Sequence, residues 1–434
     1  MKFYELSPQE RRNFLEKEGY ITHNDARLLR LSPLLREYAA DGMIENQVGI
    51  MGIPIGLLRG LTVNDKEYNV PMATEEPSVV AAACAGAKIA RENGGVIAAM
   101  WPLRVIPADI VFQRVPAEQQ EDFAAKVEDH YKDMVRVMQK AVPNLTHHNG
   151  GIEGVSCVPI HKGEFWKVRL WIWPGEAMGA NIANRLSEAE AKYLEGLLGI
   201  KPLAAILSNA ETETVTCGVD IDPKTLETKT ESGLKVAKKI VELSRWSEMD
   251  DTRAVTHNKG IMNGVVACAL ANGSDTRAVE AAAHWYASND GEYKPLSTWS
   301  FKQEGRKKIL IGRLTMPMAI GKVGFSIKTL GTAELCQRIL GAEDLWETQM
   351  VFGAVGLVQN LAALRSIATE GITQGHLKLR DYNLARAAGA QGKEIRQVAK
   401  RMMLNPKRTV RQAEIKLAKM REGEAFEDDE DENE

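Results

Sequence analysis

Hydrophobic and polar positions follow two different periods along this chain. Residues 7–46 are polar and amphipathic with helical spacing, and the short apolar runs at 50–60 and 68–73, broken by Gly and Pro, read as strand or loop. After Thr74-Glu75-Glu76-Pro77-Ser78 comes a run, 79–87, that is small and apolar on nearly every face and closes at Asn93-Gly94-Gly95. Proline at the first helical position and glycine past the end predict a helix, and one so apolar should pack deep among its neighbours. From Trp101 to about Ile206 the texture changes. Residues 104–106 and 110–112 read as strands, 118–140 as a charged helix and 165–173 as a strand of alternating character, the pattern of an inserted βαβ-like unit. Residues 207–365 return to apolar helices and strands, with two Ala-rich stretches. From Thr369 onward a Gly-punctuated segment leads into basic helices, and no internal repeat is visible.

With 434 residues, the chain has room for two to four domains at roughly 100 to 200 residues each. Hydrophobic residues at 44% and charged residues at 26% are globular proportions, and no run of about 18 uninterrupted apolar residues predicts a membrane span. The first residues lack the apolar stretch of a secretory leader, so a cytoplasmic location is expected. Five scattered cysteines, Cys84, Cys157, Cys217, Cys268 and Cys336, form neither a disulfide framework nor a paired zinc motif and read as reduced core residues. The net charge of -3 conceals a segregation. Residues 422–434 hold nine acids and no base, leaving +6 on the rest, while 393–421 hold ten Lys/Arg against two Asp/Glu with Ile395, Val398, Ala399 and Met402 at helical spacing. That predicts basic helices followed by a disordered acidic tail. The basic stretch could also touch a phosphate-bearing ligand, and nucleic acid is disfavoured because no aromatic residues interleave with the bases.

Neither GxGxxG nor GxxxxGK[ST] occurs, so a dinucleotide site would have to be built some other way. Four constellations remain. In Glu75-Glu76-Pro77-Ser78 a carboxylate stands at a helix start, where it can cap backbone N–H groups or serve as an acid whose pKa burial raises. In Arg253-Ala254-Val255-Thr256-His257-Asn258-Lys259-Gly260-Ile261-Met262-Asn263-Gly264 a lysine is wedged among Asn, Gly and apolar residues, where it reads either as a solvated surface charge or as a functional cation that the following glycine lets a ligand approach. Asn272-Gly273-Ser274-Asp275-Thr276-Arg277 is a turn entering a helix, with Ser274 or Asp275 as a cap. Thr369-Glu370-Gly371-Ile372-Thr373-Gln374-Gly375-His376 joins a lone histidine to glycines that imply mobility.

Together with Glu45-Asn46-Gln47-Val48-Gly49 and Ala177-Met178-Gly179-Ala180-Asn181, these pieces in this order make the chain resemble class II 3-hydroxy-3-methylglutaryl-CoA (HMG-CoA) reductase from Gly42 to about Gly392. The nine residues 256–264 are the most specific part. The resemblance implies an α/β (α+β) fold with a large domain around a central buried helix (1–100 and 207–368). It also implies an inserted ferredoxin-like dinucleotide-binding domain (101–206) and a mobile C-terminal helical flap (369–421). By the same resemblance Glu76, Lys259, Asp275 and His376 are catalytic, Ser78, Arg253 and Asn263 hold the hydroxymethylglutaryl group, and Glu176, Ala177, Met178, Gly179 and Asn209 contact the dinucleotide. Glu176 stands where the family usually has Asp, and Tyr4 where one relative has a CoA-binding Arg.

The implied reaction is a four-electron reduction of a thioester to mevalonate and CoA using two NAD(P)H, or its reverse. Lys259 would stabilise the carbonyl oxygen as it gains charge, with Asp275 beside it, Glu76 would supply a proton and His376 would protonate the departing thiolate. The stretch before Gly150-Gly151 has no acid after Ala141 and puts Val142 where an NAD-specific relative would have Asp, which leans toward NADPH or use of both cofactors. No metal, membrane or nucleic-acid partner is implied. The family's active sites form between subunits, so a homodimer or larger homo-oligomer is expected. A non-catalytic CoA-binding relative, or a nucleic-acid binder acting through residues 393–421, is the alternative.

Overall fold

The computed structural model describes the chain apart from residues 1–2, 4–5, 31–34, 36, 102–103, 148–149, 306, 370, 404–407 and 423–434. Tyr4 and nearly all of the acidic tail therefore lie outside the described residues. The two early apolar runs form an antiparallel hairpin, Ile55–Val63 with Lys66–Ala73. Its tight turn is Asn64-Asp65, both with positive φ, a conformation those short polar side chains accept. Asn64 then anchors the hairpin, donating from Nδ2 to Ala98 O and accepting from Ala98 N, each at 2.9 Å.

The helix after the Glu-Glu-Pro-Ser motif spans Pro77–Glu92. It is not buried all round, as its composition predicts. Val79, Ala83, Gly86, Ala87, Ile89 and Ala90 face inward, while Ala81, Ala85 and Lys88 are exposed. The central buried helix is instead Leu345–Ala368, with sixteen of its twenty-four residues buried. That helix is long and apolar enough to cross a bilayer, but here protein encloses it. The two cross at Gly86, where an added Cβ would lie 2.0 Å from Val358 O. Only glycine permits that approach.

Two four-stranded antiparallel sheets complete the frame. The large sheet, so called for the larger of the two cores it lies on, runs in the order Ile97–Met100, Thr214–Ile221, Lys307–Pro317, Ser297–Glu304 and packs on the central helix. The small sheet, over the lesser core, runs Gly151–Ile160, Phe165–Trp173, Ile106–Gln113, Ala204–Leu207. In chain order that is βαββαβ, the ferredoxin-like arrangement, with helix Ala180–Leu198 before the last strand. Phe165–Trp173 alternates as its sequence predicts, with Trp166, Val168, Leu170 and Ile172 buried against a core drawn only from residues 106–198. Two local expectations change. Residues 118–140 divide among Ala117–Gln120, Phe123–Asp129 and Tyr131–Ala141, and Arg104 lies outside the strand that begins at Ile106.

Three C-terminal helices, Ile372–Ala387, Lys393–Met403 and Val410–Arg421, close on a small core that includes Ala385, Val398, Met402 and Leu417. The glycine-punctuated stretch is thus helical from Ile372. Pairs Asp381–Arg408 at 3.0 Å and Glu394–Arg421 at 2.8 Å tie these helices together. All five cysteines are free, four of them buried.

Candidate active site

Glu76 precedes the helix that Pro77 starts, in extended backbone, and its amide donates to Thr74 Oγ1 at 3.1 Å. Its carboxylate makes no cap to that helix. Instead Oε1 accepts from Ser78 Oγ at 3.1 Å, and Oε2 lies 3.6 Å from Lys259 Nζ. Capping, the ordinary duty of a carboxylate at this position, is therefore set aside. Glu76 is 34% exposed and Lys259 64%, so the pair faces an opening.

Lys259 stands on helix Asp251–Ala271, whose N-terminus Asp250 caps through Thr252 N at 3.0 Å and Arg253 N at 3.2 Å. The helical period divides the motif. Lys259 and Asn263, four residues apart, lie along the more open face, whereas His257, Asn258, Ile261 and Met262 point into the protein. Asn258 is a structural clamp: Oδ1 accepts from Leu296 N at 2.8 Å, and Nδ2 donates to Lys294 O at 2.9 Å and Tyr293 OH at 3.1 Å. His257 Nε2 meets Ser297 Oγ at 2.7 Å and Asn360 Nδ2 at 3.1 Å, and Asn360 Oδ1 accepts from Trp299 Nε1 at 2.7 Å. The lysine is thus carried by a helix bolted to the large sheet and the central helix. Sequence reading missed His257 and Asn258, although their position one turn before Ile261 and Met262 is the available signal.

Burial, with the Arg253 charge nearby, pulls the His257 pKa down to about 4. The unfolded chain, with an ordinary histidine near 6.5, takes up that proton first, so stability rises with pH between about 4 and 6.5 and falls on acidification through that window. From pH 7 to pH 5 the parent is expected to lose about 2 kcal/mol more than His257→Gln, as measured by urea unfolding at both pH values. Equal losses would mean that His257 does not titrate in this way.

Arg253 is buried, its guanidinium 5.3 Å from the Trp246 ring centroid, and among the described residues its Nε has no hydrogen-bond partner. Burial lowers its pKa and Asp250 opposes the shift. A buried cation without a paired carboxylate is expensive unless an anion arrives. Asn263 sits half-buried along the same helix.

Asp275 caps helix Thr276–Ser288, accepting from Arg277 N at 3.0 Å and Ala278 N at 3.3 Å. The Arg277 side chain also donates to it, from Nε at 3.0 Å, and this contact foremost holds the carboxyl below the usual range. Among the described residues Lys259 is ion-paired with Glu76 and Asp275 with Arg277, with no ion pair between Asp275 and the lysine. His376 lies in helix Ile372–Ala387, which packs against the helix beginning at Pro77. Its side chain is outside the described residues.

The predicted dinucleotide contacts gather at the small sheet. Gly179 has φ of 100°, and a Cβ there would lie 2.5 Å from Ile106 Cδ1. Its positive φ and the packing of Ile106 and Pro174 against it both require glycine, and among the described residues no side chain caps helix Ala180–Leu198. Arg104, buried, donates to Ala177 O at 3.2 Å, to Met178 O at 3.0 Å and to Glu211 Oε1 at 2.6 Å. Glu176 and Asn209 are exposed. Val142 follows the helix Tyr131–Ala141, and the side chains of residues 146–149 lie outside the described set. Among the described residues no group of three His, Cys, Asp or Glu could hold a metal.

Comparison with known proteins supplies an independent view. The family model for hydroxymethylglutaryl-coenzyme A reductase matches residues 7–381. The 3-hydroxy-3-methylglutaryl-coenzyme A reductase of Archaeoglobus fulgidus is 34% identical over 421 residues, covering 96% of this chain and 94% of that one. A probable reductase of the same name from Borreliella burgdorferi is 32% identical over 78% of this chain and 76% of its own. Among solved structures, the class II enzyme of Streptococcus pneumoniae bound to NADPH in open conformations is similar with a TM-score of 0.80 and 33% identity, covering 85% of this chain and 99% of that one. Another structure of the Streptococcus pneumoniae reductase covers 96% of this chain and 99% of its own, again with a TM-score of 0.80, at 32% identity.

Proposed function

Because this chain belongs to the hydroxymethylglutaryl-coenzyme A reductase family, and within it resembles the class II structures, we propose that it reduces the HMG-CoA thioester to mevalonate and CoA with two NAD(P)H. The observation that carries the reading is the Glu76, Ser78 and Lys259 cluster on an open face, with the buried cation Arg253 on the same helix. Arg253, Asn263 and Ser78 bind the acyl group, the guanidinium taking its carboxylate. Lys259 holds the oxygen that gains charge. Glu76, linked to Lys259 and Ser78, hands a proton to the aldehyde oxygen. Asp275 is the second carboxylate of the site and holds Lys259 in position.

Bound between Ala177, Met178, Gly179, Glu176 and Asn209, the reduced dinucleotide supplies the electrons for both carbonyl reductions. The helix start after Gly179, free of a side-chain cap among the described residues, supports that placement. The NADPH-bound relative and the absence of an acid between Ala141 and Gly151 support NADPH, or both cofactors, over NADH alone. The exposed small-residue face of Pro77–Glu92 and the exposed Val48 and Met51 support a homodimer or larger assembly with shared sites. A fully active monomer in sedimentation would overturn that assembly. The match to bacterial and archaeal relatives supports a cytoplasmic location, and fluorescence of a tagged chain at the cell envelope would count against it.

The test is absorbance at the nicotinamide band with HMG-CoA or mevaldehyde and each cofactor, in both directions. A kcat/KM favouring NADH by more than about tenfold, roughly 1.4 kcal/mol, would overturn the cofactor reading alone. The same assay checks His376. Only thiolate release needs its proton, so His376→Gln should lose HMG-CoA reduction and keep mevaldehyde reduction. Equal loss of both would make the histidine structural.

A further inference from the structure

The chain crosses between its two four-stranded sheets twice, at residues 101–105 on the way into the small sheet and at 208–213 on the way out. One buried ion pair joins the crossings. Arg104 and Glu211 have side chains 3% and 5% exposed, and the guanidinium meets both carboxylate oxygens, Nη2 to Oε1 at 2.6 Å and Nε to Oε2 at 3.3 Å. A pair placed only to staple two linkers would have spent its donors there. Arg104 instead extends to a third segment, with Nη1 on Ala177 O at 3.2 Å and Nη2 on Met178 O at 3.0 Å.

That third segment is also held from the opposite side. Lys322 N donates to Glu176 O at 2.9 Å, Ala177 bridges Val323, and a Cβ on Gly321 would lie 2.5 Å from Met178 N. Gly321 O in turn accepts from Asn272 Nδ2 at 2.9 Å, in the turn that leads to Asp275. On the other flank Glu211 N donates to Asn209 O at 3.0 Å. A continuous set of contacts therefore runs from the Asp275 turn through Gly321 and the 176–179 stretch to Arg104, Glu211 and Asn209.

We infer that Arg104 is a positioning residue for the dinucleotide: its planar fork fixes the carbonyls of Ala177 and Met178, and Glu211 fixes the fork. Arginine suits this task because its donors diverge in one plane, so three segments are held at set angles; a lysine ammonium would keep the charge and lose the fork. The pair thereby sets where the small sheet presents its dinucleotide stretch relative to the lysine helix. This inference rests on the reading of 177–179 as that stretch.

The test uses the full chain with NADPH and HMG-CoA as probes. Replacing a buried ion pair by apolar residues of similar volume commonly leaves the fold intact, so Arg104→Met with Glu211→Leu removes the fork without stranding a charge. In this variant the NADPH KM, and the Kd from nicotinamide fluorescence, should rise roughly tenfold or more, about one decade of affinity, with the HMG-CoA KM within about twofold of the parent. Arg104→Lys should fall between the two. Parent-like NADPH affinity in the folded double variant, or an equal rise in both KM values, overturns the inference. If the double variant does not fold, Arg104→Lys decides by the same split. Ala177→Glu is the control on the underlying reading: if it leaves NADPH affinity unmoved, the stretch is not a dinucleotide contact, whereas weakening by Ala177→Glu with no effect of the Arg104 variants rejects the positioning role alone.

Discussion

Lys259→Ala is expected to lower turnover of both HMG-CoA and mevaldehyde by a factor on the order of 100 to 1,000, the usual cost of removing one donor to a developing oxyanion. Each carbonyl reduction places negative charge on the same oxygen position, so the two substrates should fail together. The fold should be indifferent. Lys259 is mostly exposed, its ion pair with Glu76 is 3.6 Å long and open to solvent, and exposed pairs of this kind contribute about 0 to 1 kcal/mol. The helix beneath it is held by Asn258 and His257, which the substitution leaves in place. Thermal unfolding should therefore match the parent while single-turnover reduction collapses. A purified variant reducing either substrate at more than about a tenth of the parent rate would remove the lysine from this role.

How much of this was legible without coordinates differs from residue to residue. The alternation of 165–173 fixed one strand and its inward face, because a half-buried antiparallel strand writes its period directly into the sequence. The helix starts at Pro77 and Thr276 were equally plain from proline and cap residues. Burial depth was not. Composition cannot tell a helix covered on one side, Pro77–Glu92, from one covered all round, Leu345–Ala368, since both are apolar and only tertiary neighbours decide. Side-chain direction was hidden in the same way: Glu76 could cap or turn away, and the choice depends on Lys259, far along the chain. Local pattern puts Arg104 in a strand with Val105 and Ile106. Its partners lie at 177, 178 and 211, and nothing local to 104 announces them.

Arg253→Met should separate binding from stability with opposite signs. Among the described residues the buried guanidinium has an unpartnered Nε and no ion pair, with only the Asp250 charge raising its pKa, so the folded protein bears its desolvation cost in the absence of substrate. Methionine fills a similar volume and can still pack on Trp246, so the loss is limited to the cation–π contact, about 1 kcal/mol, set against relief from the buried charge. Unfolding free energy should change by no more than about 1 kcal/mol in either direction. Substrate affinity should not be spared. A carboxylate paired with a buried guanidinium loses about 2 to 5 kcal/mol when that partner is truncated, so the HMG-CoA KM should rise roughly 30-fold or more. The NADPH KM should stay at the parent value, because the dinucleotide stretch lies on the other sheet. A destabilisation of about 3 kcal/mol or more, typical of a broken buried pair, would show that Arg253 has an internal partner and is not waiting for an anion. An unchanged HMG-CoA KM in a well-folded variant would take the acyl carboxylate away from this helix altogether.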